Sequence, residues 1–439
     1  MNILLVVSNW SETMGHAVRC TAAAGKLKER GHELAFLGPA SYQNWIPEGV
    51  QFFASVPKRD YLAEDSPFFG FHTYEDVLYA NGHLSDDHLV ETVEREREVI
   101  RTFKPDCIVS DLQFTISIAA QAEEIPLASM VYWPMHPDFH RHVEQELPQR
   151  NIVLKRIRQG WNRVLKRYGQ PAINHTSELI YGRSQLLISP TSGILEQELP
   201  AAQPDVHMVG QLVPKARFQD RPSWLLQWKE QSLIENVPLV FIYLSSLPIG
   251  INSREAFQVL YEDLRRSGSR VIFGLGPFNE QMQGFQPEVA TDRIRFERFV
   301  PGDTAMELSD LAIFPGTHSM MVAAAKYEVT SLSFPDLFER AYNSHCLERA
   351  GLGRIGTEQD LRPGAVLELV QTVLDERKAG LSERSRSIRN ELTAYEQQER
   401  FVHLVEKLGS EKRVEPNEQS GIPHNNAHIK SNHDGKSVL

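Results

Sequence analysis

Two successive series of strand-like and helix-like segments constrain the fold of this chain most strongly. Residues 2–38 contain the apolar run NILLVV, a polar loop, a helical segment that stops at Gly31, and a second apolar run, ELAFLG. The runs DCIVSD, PLASMVYW, LLISP and VHMVG follow, and a new series starts with PLVFIYLSS. Strands that alternate with helices form parallel sheets covered by helices. The sequence therefore predicts an α/β fold with two doubly wound, Rossmann-like halves.

The chain has 439 residues, a length typical of two domains. We predict an N-terminal domain over 1–211 and a C-terminal domain over 237–382. Residues 212–236 lack strand patterning and contain two prolines, which predicts a linker. The polar segment 383–408 predicts one long helix that packs back towards the N-terminal domain. The polar residues 409–439 predict a disordered tail.

The composition excludes several classes of function. A net charge of −11 argues against general nucleic-acid binding, although one small phosphorylated ligand needs only a local cluster of donors. The three cysteines show no CxxC spacing, so neither a disulfide framework nor a zinc ribbon is predicted. No P-loop, HExxH, GxSxG or EF-hand pattern occurs. The start, MNILLVV, is interpreted as a first strand, and no run approaches the roughly 20 apolar residues of a membrane span. We expect a soluble, cytoplasmic protein.

Two further segments could have a binding role, but a simpler structural interpretation is favoured for each. The basic segment KRIRQGWNRVLKRY has an apolar stripe at helical spacing and could contact an anionic membrane, but packing against its own domain is favoured. The tail histidines could bind metal, but a solvated tail is favoured; these are His424, His428 and His433. No metal site is predicted.

Two polar residues follow strands of the first half. His16, in SETMGHAVRC, lies near the start of the first helix, where it is either a general base or an ordinary helix-terminal residue. Asp111, in PDCIVSDLQF, ends a strand and would lie at the same sheet edge. It either orients the imidazole or caps the following helix, and from this segment alone the cap is favoured.

The stretch AIFPGTHSM lies between a strand-like run and a small-residue helix, where a parallel α/β domain places a phosphate-binding turn. Thr317 could cap the helix and leave the N–H groups of His318, Ser319 and Met320 free for an anion. The alternative is a tight turn that uses Gly316 for its backbone freedom. Pro315 contributes no N–H to either arrangement.

Several blocks in order resemble the nucleotide-sugar glycosyltransferases of the GT-B fold, of the macrolide, natural-product and UDP-glucosyl or glucuronosyl type. The resemblance covers about residues 1–408. In the first half it is carried by MGHAVRCTAAAGKLKERGHELAFLG, PDCIVSD and HMVGQL. It implies that His16 is the catalytic base and Asp111 its carboxylate partner, which outweighs the capping interpretation.

In the second half the order of blocks is kept while the residues differ. FIYLSS implies that Ser246 contacts phosphate or sugar, and FERFVPGD implies that Phe299 stacks on the base while the Val300 backbone reads its edge. AIFPGTHSM falls on the phosphate-binding block with Pro315 in place of its histidine. Gly316, Thr317, His318 and Ser319 are therefore predicted donor-binding residues, with His318 as a replacement contact.

The block FPDLFERAYN falls on the sugar-binding block of the same family. Glu339 replaces an aspartate there and Arg340 replaces a glutamine, whereas Asn343 matches the family. Both Glu339 and Arg340 are predicted to bind the donor. The guanidinium of Arg340 would suit an acidic sugar, unless it pairs with Glu339 or Asp336.

The resemblance implies an inverting transfer of a sugar from a UDP- or dTDP-sugar to a hydroxyl of a small, largely apolar acceptor, a natural product or lipid. The donor is a co-substrate, and no cofactor or metal is expected. Aromatic residues of the first half are predicted to line the acceptor site: Trp10, Tyr132, Trp133 and His136. The alternative function is an inactive GT-B homologue that acts as a partner or regulator, which the altered donor block motivates.

Overall fold

Two parallel sheets organise the chain. The computed structural model describes residues 1–10, 14–59, 72–81, 85–140, 151–215, 219–243, 253–276, 292–378 and 380–411. The first sheet has seven strands in the order β3-β2-β1-β4-β5-β6-β7. Their bounds are β1 Asn2–Val7, β2 Glu33–Gly38, β3 Gln51–Ala54, β4 Cys107–Asp111, β5 Leu127–Met130, β6 Leu186–Ser189 and β7 His207–Met208.

The second sheet has six strands in the order β10-β9-β8-β11-β12-β13. Their bounds are β8 Leu239–Tyr243, β9 Arg270–Gly274, β10 Ile294–Glu297, β11 Leu311–Phe314, β12 Thr330–Ser333 and β13 Gly353–Ile355. In each sheet the first three strands run outward in one direction, and the next strand is added on the other side of the first strand. The strand order therefore reverses between β1 and β4 in the first sheet and between β8 and β11 in the second. Ligands of doubly wound sheets bind at these switch points. The predicted fold class is confirmed.

Helices cover the first sheet because their apolar faces pack onto its buried strands. Their bounds are α1 Met14–Glu29, α2 Tyr74–Ala80, α3 Asp86–Phe103, α4 Ile116–Ala122, α5 Asn151–Arg167, α6 Glu178–Tyr181 and α7 Glu198–Ala202. The apolar stripe of α5, with Ile157 and Trp161 fully buried, belongs to the core of this domain. The favoured interpretation of the basic segment, packing rather than membrane contact, is what the structure shows.

The remaining helices accompany the second sheet and close the chain. They are α8 Ser223–Ile234, α9 Ser253–Arg266, α10 Gly302–Leu308, α11 His318–Tyr327, α12 Phe338–Arg349, α13 Ala365–Lys378, α14 Glu383–Gln397 and α15 Arg400–Glu411. Helix α8 lies inside the segment interpreted as a linker. The segment predicted as one helix over 383–408 is two helices, because Glu399 adopts a left-handed conformation between them.

The last two helices connect the two halves. Ile388 and Leu392 of α14 pack in a cluster with α11 and α12, whereas Phe401 and Val405 of α15 pack into the core of the first sheet. Helix α15 includes residues 409–411 of the predicted tail, and the rest of that tail, with its histidines, lies outside the described residues. Among the residues that the structure describes, no helix combines the length and apolar character that a membrane crossing requires.

Candidate active site

The fold places His16 and Asp111 side by side at the switch point of the first sheet. β1 pairs with β4 so that Val7 lies opposite Asp111, the last residue of its strand. His16 lies in the first turn of α1, the next element after β1. Because both segments meet at the same sheet edge, His16 Nδ1 lies 3.1 Å from Asp111 Oδ1.

Asp111 is completely buried, while 12% of the His16 side-chain surface is exposed. Burial alone would raise the pKa of Asp111, but Arg19 and then His16 hold it well below its usual range. The Tyr132 hydroxyl donates a further hydrogen bond to Asp111 Oδ1 at 3.1 Å. Asp111 is therefore an ionised carboxylate that can orient and stabilise an imidazole that remains partly exposed.

Arg19 is a third charged member of this site, which the sequence reasoning missed. Its guanidinium donates from Nε to Asp111 Oδ2 at 2.9 Å and lies 5.0 Å from the Tyr132 ring centre. Burial opposes its charge, yet Asp111, Tyr132 and Glu339 raise its pKa above the ordinary value. The available signal was its spacing, since residues three apart share one face of a helix and His16 is three residues earlier.

Arg19 and Asp111 compete for the same nitrogen of His16. Arg19 Nη2 lies 2.7 Å from His16 Nδ1, while Asp111 Oδ1 lies 3.1 Å from it. In a neutral imidazole, Nδ1 either carries the proton and donates to Asp111 or accepts from Arg19. The first tautomer leaves Nε2 able to take a proton, and the second places a proton on Nε2. Only the first tautomer is a general base at Nε2.

A buried polar network fixes the loop that follows Asp111. Leu112 has a positive φ of 60°, and the Trp10 indole donates to its carbonyl oxygen at 3.1 Å. Gln113 and Thr115 both donate to Glu96 Oε1, at 2.8 Å and 2.6 Å. Trp10 is 3% exposed, so this predicted acceptor-lining residue instead supports the Asp111 loop.

This network makes stability depend on pH. Burial raises the pKa of Glu96 to about 8, above the value of about 4.3 of an unfolded glutamate. The folded state therefore binds more protons between these values, and the free energy of unfolding falls as pH rises through that window. We expect the Glu96→Gln variant to lack this fall in the free energy of unfolding. The difference in stability between the variant and wild type should therefore shift in favour of the variant from about pH 5 to about pH 8.

Denaturant unfolding at several pH values measures the effect. The matched control is Glu98→Gln on the same helix, because Glu98 is exposed and paired with Arg95. Parallel pH profiles for wild type and Glu96→Gln would show that the buried carboxyl does not carry the dependence.

The turn predicted to bind the donor follows β11 of the second sheet, again at a switch point. Gly316 has φ of 85°, and a Cβ there would lie 2.5 Å from both the Arg340 carbonyl oxygen and Ser344 Oγ. Asn343 donates from Nδ2 to the Gly316 carbonyl oxygen at 2.9 Å. Gly316 thus contributes backbone freedom and close packing, while helix α12 holds the turn against the start of α11.

The two residues after Gly316 differ from their predicted roles. Thr317 occupies the N-cap position of α11, but its side chain makes no capping hydrogen bond. The His318 side chain is 3% exposed, and its Nε2 lies 2.9 Å from Glu196 Oε2 of the N-terminal half. Its ring also meets Tyr132 edge to face at 4.7 Å between centres. His318 is thereby held in a contact between the halves and is not presented as a replacement phosphate contact.

Ser319 is the residue of this turn that faces the His16 site. Arg19 Nη1 donates to Ser319 Oγ at 3.2 Å, which joins the two halves. Ser319 lies in the first turn of α11, whose backbone N–H groups carry a partial positive charge. A positively polarised helix start, a hydroxyl and a guanidinium therefore meet opposite the His16–Asp111 pair.

The other predicted donor residues are distributed around this point. Glu339 is half-buried and close enough to raise the pKa of Arg19. Arg340 is paired with Asp336 Oδ1 at 2.6 Å, so its charge is already matched and gives no support for an acidic sugar. Val300 is buried, and the Phe299 ring lies 6.0 Å from that of Trp45 in the N-terminal half. Ser246 lies outside the described residues.

The predicted acceptor residues besides Trp10 form one aromatic group. Trp133 stacks on His136, with ring centres 4.9 Å apart, and His136 meets Tyr181 edge to face at 5.2 Å. Tyr132 lies next to them in sequence and is buried, with its hydroxyl bound to Asp111. Tyr132 therefore belongs to the charged centre, whereas the half-buried Trp133 lies at the edge of the group.

Comparison with solved structures identifies the architecture. The glycosyltransferase of kitacinnamycin aligns over 93% of this chain and 98% of its own, with 16% identity and a TM-score of 0.71. The chain has the GT-B fold. The spinosyn rhamnosyltransferase SpnG, solved with spinosyn aglycone, aligns over 93% of this chain and all of its own, with 14% identity and a TM-score of 0.66. SpnG was also solved with thymidine diphosphate.

The sequence comparison points the same way. An uncharacterized glycosyltransferase of Methanosarcina mazei is 24% identical over 394 residues, which cover 86% of this chain and 91% of the relative. No model of a protein family matches the chain. The comparisons confirm the resemblance that was inferred from the sequence blocks, and the relatives are all named as glycosyltransferases.

Proposed function

We propose that this chain is an inverting glycosyltransferase. It moves a sugar from a UDP- or dTDP-sugar to a hydroxyl of a small, largely apolar natural product or lipid. The observation that carries this proposal is the 3.1 Å contact between His16 and Asp111. Arg19, which also binds Asp111, donates to Ser319 in the first turn of α11 at 3.2 Å. A base and an anion-binding helix start are thereby brought to one point of the cleft.

The chemistry is a single displacement. His16 Nε2 takes the proton of the acceptor hydroxyl, and the acceptor oxygen forms a bond to the anomeric carbon of the donor. The bond between that carbon and the phosphate oxygen breaks, and its electron pair leaves with the nucleoside diphosphate. Asp111 stabilises the imidazolium that forms. One in-line attack without an enzyme nucleophile inverts the anomeric centre.

Arg19 compensates for the histidine that Pro315 replaces. The leaving diphosphate develops negative charge, which fixed donors in a water-poor site stabilise strongly. The Ser319 hydroxyl, the first-turn N–H groups of α11 and the Arg19 guanidinium supply such donors, so the proposal requires no metal at the leaving group. Glu339, which lies near Arg19, is the proposed partner of the sugar hydroxyls.

The same arginine couples donor binding to the state of the base. A diphosphate beside Ser319 attracts the Arg19 guanidinium, and Nη2 then moves away from His16 Nδ1. Nδ1 is then free to carry its proton and donate to Asp111, which leaves Nε2 as the acceptor of the substrate proton. Under this proposal the base becomes active when the donor is bound.

The aromatic group around Trp133 and His136 supports an apolar acceptor on the N-terminal side. Support for the two ligand classes comes from SpnG, which was solved with thymidine diphosphate and with spinosyn aglycone.

Calorimetric titration of the pure protein with UDP, dTDP and GDP tests the proposal. We expect a binding signal with at least one of the first two, together with a rise in melting temperature. No heat with any of the three nucleotides would refute the transferase proposal and favour an inactive homologue that acts as a partner or regulator.

A further inference from the structure

Three side chains outside the catalytic centre converge inside the N-terminal half. Glu75 lies in the first turn of α2, His140 lies shortly after β5, and His175 lies in the loop before α6. One possible ligand atom of each residue lies within 4.8 Å of those of the other two. The imidazole rings meet edge to face, with centres 4.6 Å apart. The spacing of these residues matches no metal motif, so only the fold brings them together.

Hydrogen bonds orient two of these side chains. The Thr176 backbone N–H and hydroxyl both donate to Glu75 Oε1, at 3.3 Å and 2.6 Å. His175 Nδ1 lies 2.6 Å from Ser177 Oγ. These contacts occupy one polar atom of each side chain and leave Glu75 Oε2 and His175 Nε2 for another partner. Metal ligands are usually held in this way, by a hydrogen bond to the atom that does not bind the ion.

The two remaining atoms are buried without a hydrogen bond. Among the described residues, neither Glu75 Oε2 nor His175 Nε2 has a hydrogen-bond partner. Glu75 is 1% exposed, and burying an unsatisfied carboxylate oxygen is costly. Arg158 Nε and His175 Nε2 each lie 3.8 Å from Glu75 Oε1, the oxygen that Thr176 already binds. Arg158 therefore leaves Oε2 without a direct hydrogen bond.

We propose that Glu75, His140 and His175 bind one divalent transition-metal ion of the zinc type. Two imidazole nitrogens and one carboxylate oxygen form a common three-ligand zinc set. Bonds of about 2.0–2.1 Å in a tetrahedron place ligand atoms about 3.4 Å apart, so atoms that now lie within 4.8 Å of one another must draw together by up to about 1.4 Å. The three side chains themselves line a small cavity, together with Phe114 and Met135.

The metal would join three segments that the sequence separates. Helix α2, the chain after β5 and the loop before α6 all surround the cavity, which Tyr74 also lines. None of the three ligands contributes to the His16–Asp111 pair, so the ion would hold these segments of the N-terminal half together without touching that pair. This inference does not depend on the proposed transferase activity.

Zinc titration of the EDTA-treated, untagged full chain tests the site. We expect one equivalent to bind with a dissociation constant below about 1 μM and to raise the melting temperature. Cobalt(II) should bind at the same position and give the visible absorption of a four-coordinate ion. Absence of any such binding to the wild-type chain would overturn the proposal without requiring a variant.

Variants locate the ion. His175→Ala, His140→Ala and Glu75→Gln should each weaken zinc binding at least about tenfold and remove the cobalt absorption. The control replaces the tail histidines together, as His424→Ala, His428→Ala and His433→Ala, and should keep the tight equivalent. Tight binding retained in all three site variants, or lost only with the tail histidines, would overturn the assignment. Circular dichroism distinguishes lost binding from lost folding.

Discussion

Replacing His16 with alanine is expected to abolish sugar transfer while donor binding is nearly unchanged. His16 Nε2 is the proposed proton acceptor, and removing a positioned general base costs about 10²–10⁴-fold in rate. The proposed diphosphate position is near Ser319 and Arg19, which the substitution does not remove. The measurement pairs the turnover number with the dissociation constant of the nucleoside diphosphate that binds in calorimetry.

The control for this prediction is His32→Ala, because His32 belongs to the same half and contacts Glu406 instead of the catalytic pair. Its turnover should stay within a few-fold of wild type. The Asp111→Asn variant should also lose activity, as His16→Ala does, because an amide no longer selects the tautomer of His16 that carries its proton on Nδ1. Loss of donor binding with retained transfer in His16→Ala would refute the assignment of roles.

The features predicted correctly from the sequence are those that depend on local pattern and chain order. Alternating strand and helix segments were enough for two doubly wound sheets, because a parallel strand needs a helical crossover. The proximity of His16 and Asp111 followed from ordered family blocks and from the rule that ligands gather at the carboxyl ends of strands. Each of these predictions concerns contacts within a single half of the chain.

The features that were missed arise between the halves. His318 was expected at the phosphate, but it is drawn to Glu196, which is 122 residues away in sequence. Arg19 reaches Ser319, 300 residues away. Such contacts depend on how one domain closes on the other, and no periodicity or propensity within a segment carries that information. The functional interpretation of Trp10 failed for a local reason, because an aromatic ring is equally suited to a core.

Replacing Arg19 with alanine is expected to weaken nucleoside diphosphate binding about 10–100-fold, because hydrogen bonds to charged groups contribute about 1.5–3 kcal/mol. The Arg19→Lys variant keeps the charge but loses the planar fork that contacts Asp111 and Ser319 together, so it should recover only part of the affinity. Calorimetry with the diphosphate and with the corresponding nucleoside measures both effects.

Comparing the affinities for the nucleoside diphosphate and for the nucleoside shows whether Arg19 contacts the phosphates or only supports the structure of the site. Arg19 is also the main ionic partner of the buried Asp111, and removing one member of a buried pair destabilises a fold by about 3–5 kcal/mol. A general disturbance of the cleft would weaken nucleoside and diphosphate binding alike, whereas a lost phosphate contact weakens only the diphosphate. Lys26→Ala, two turns further along the same helix, controls for loss of positive charge and should leave both affinities unchanged. If Arg19→Ala binds the diphosphate as tightly as wild type, Arg19 serves Asp111 alone, and the charge that replaces the missing histidine must come from the start of α11.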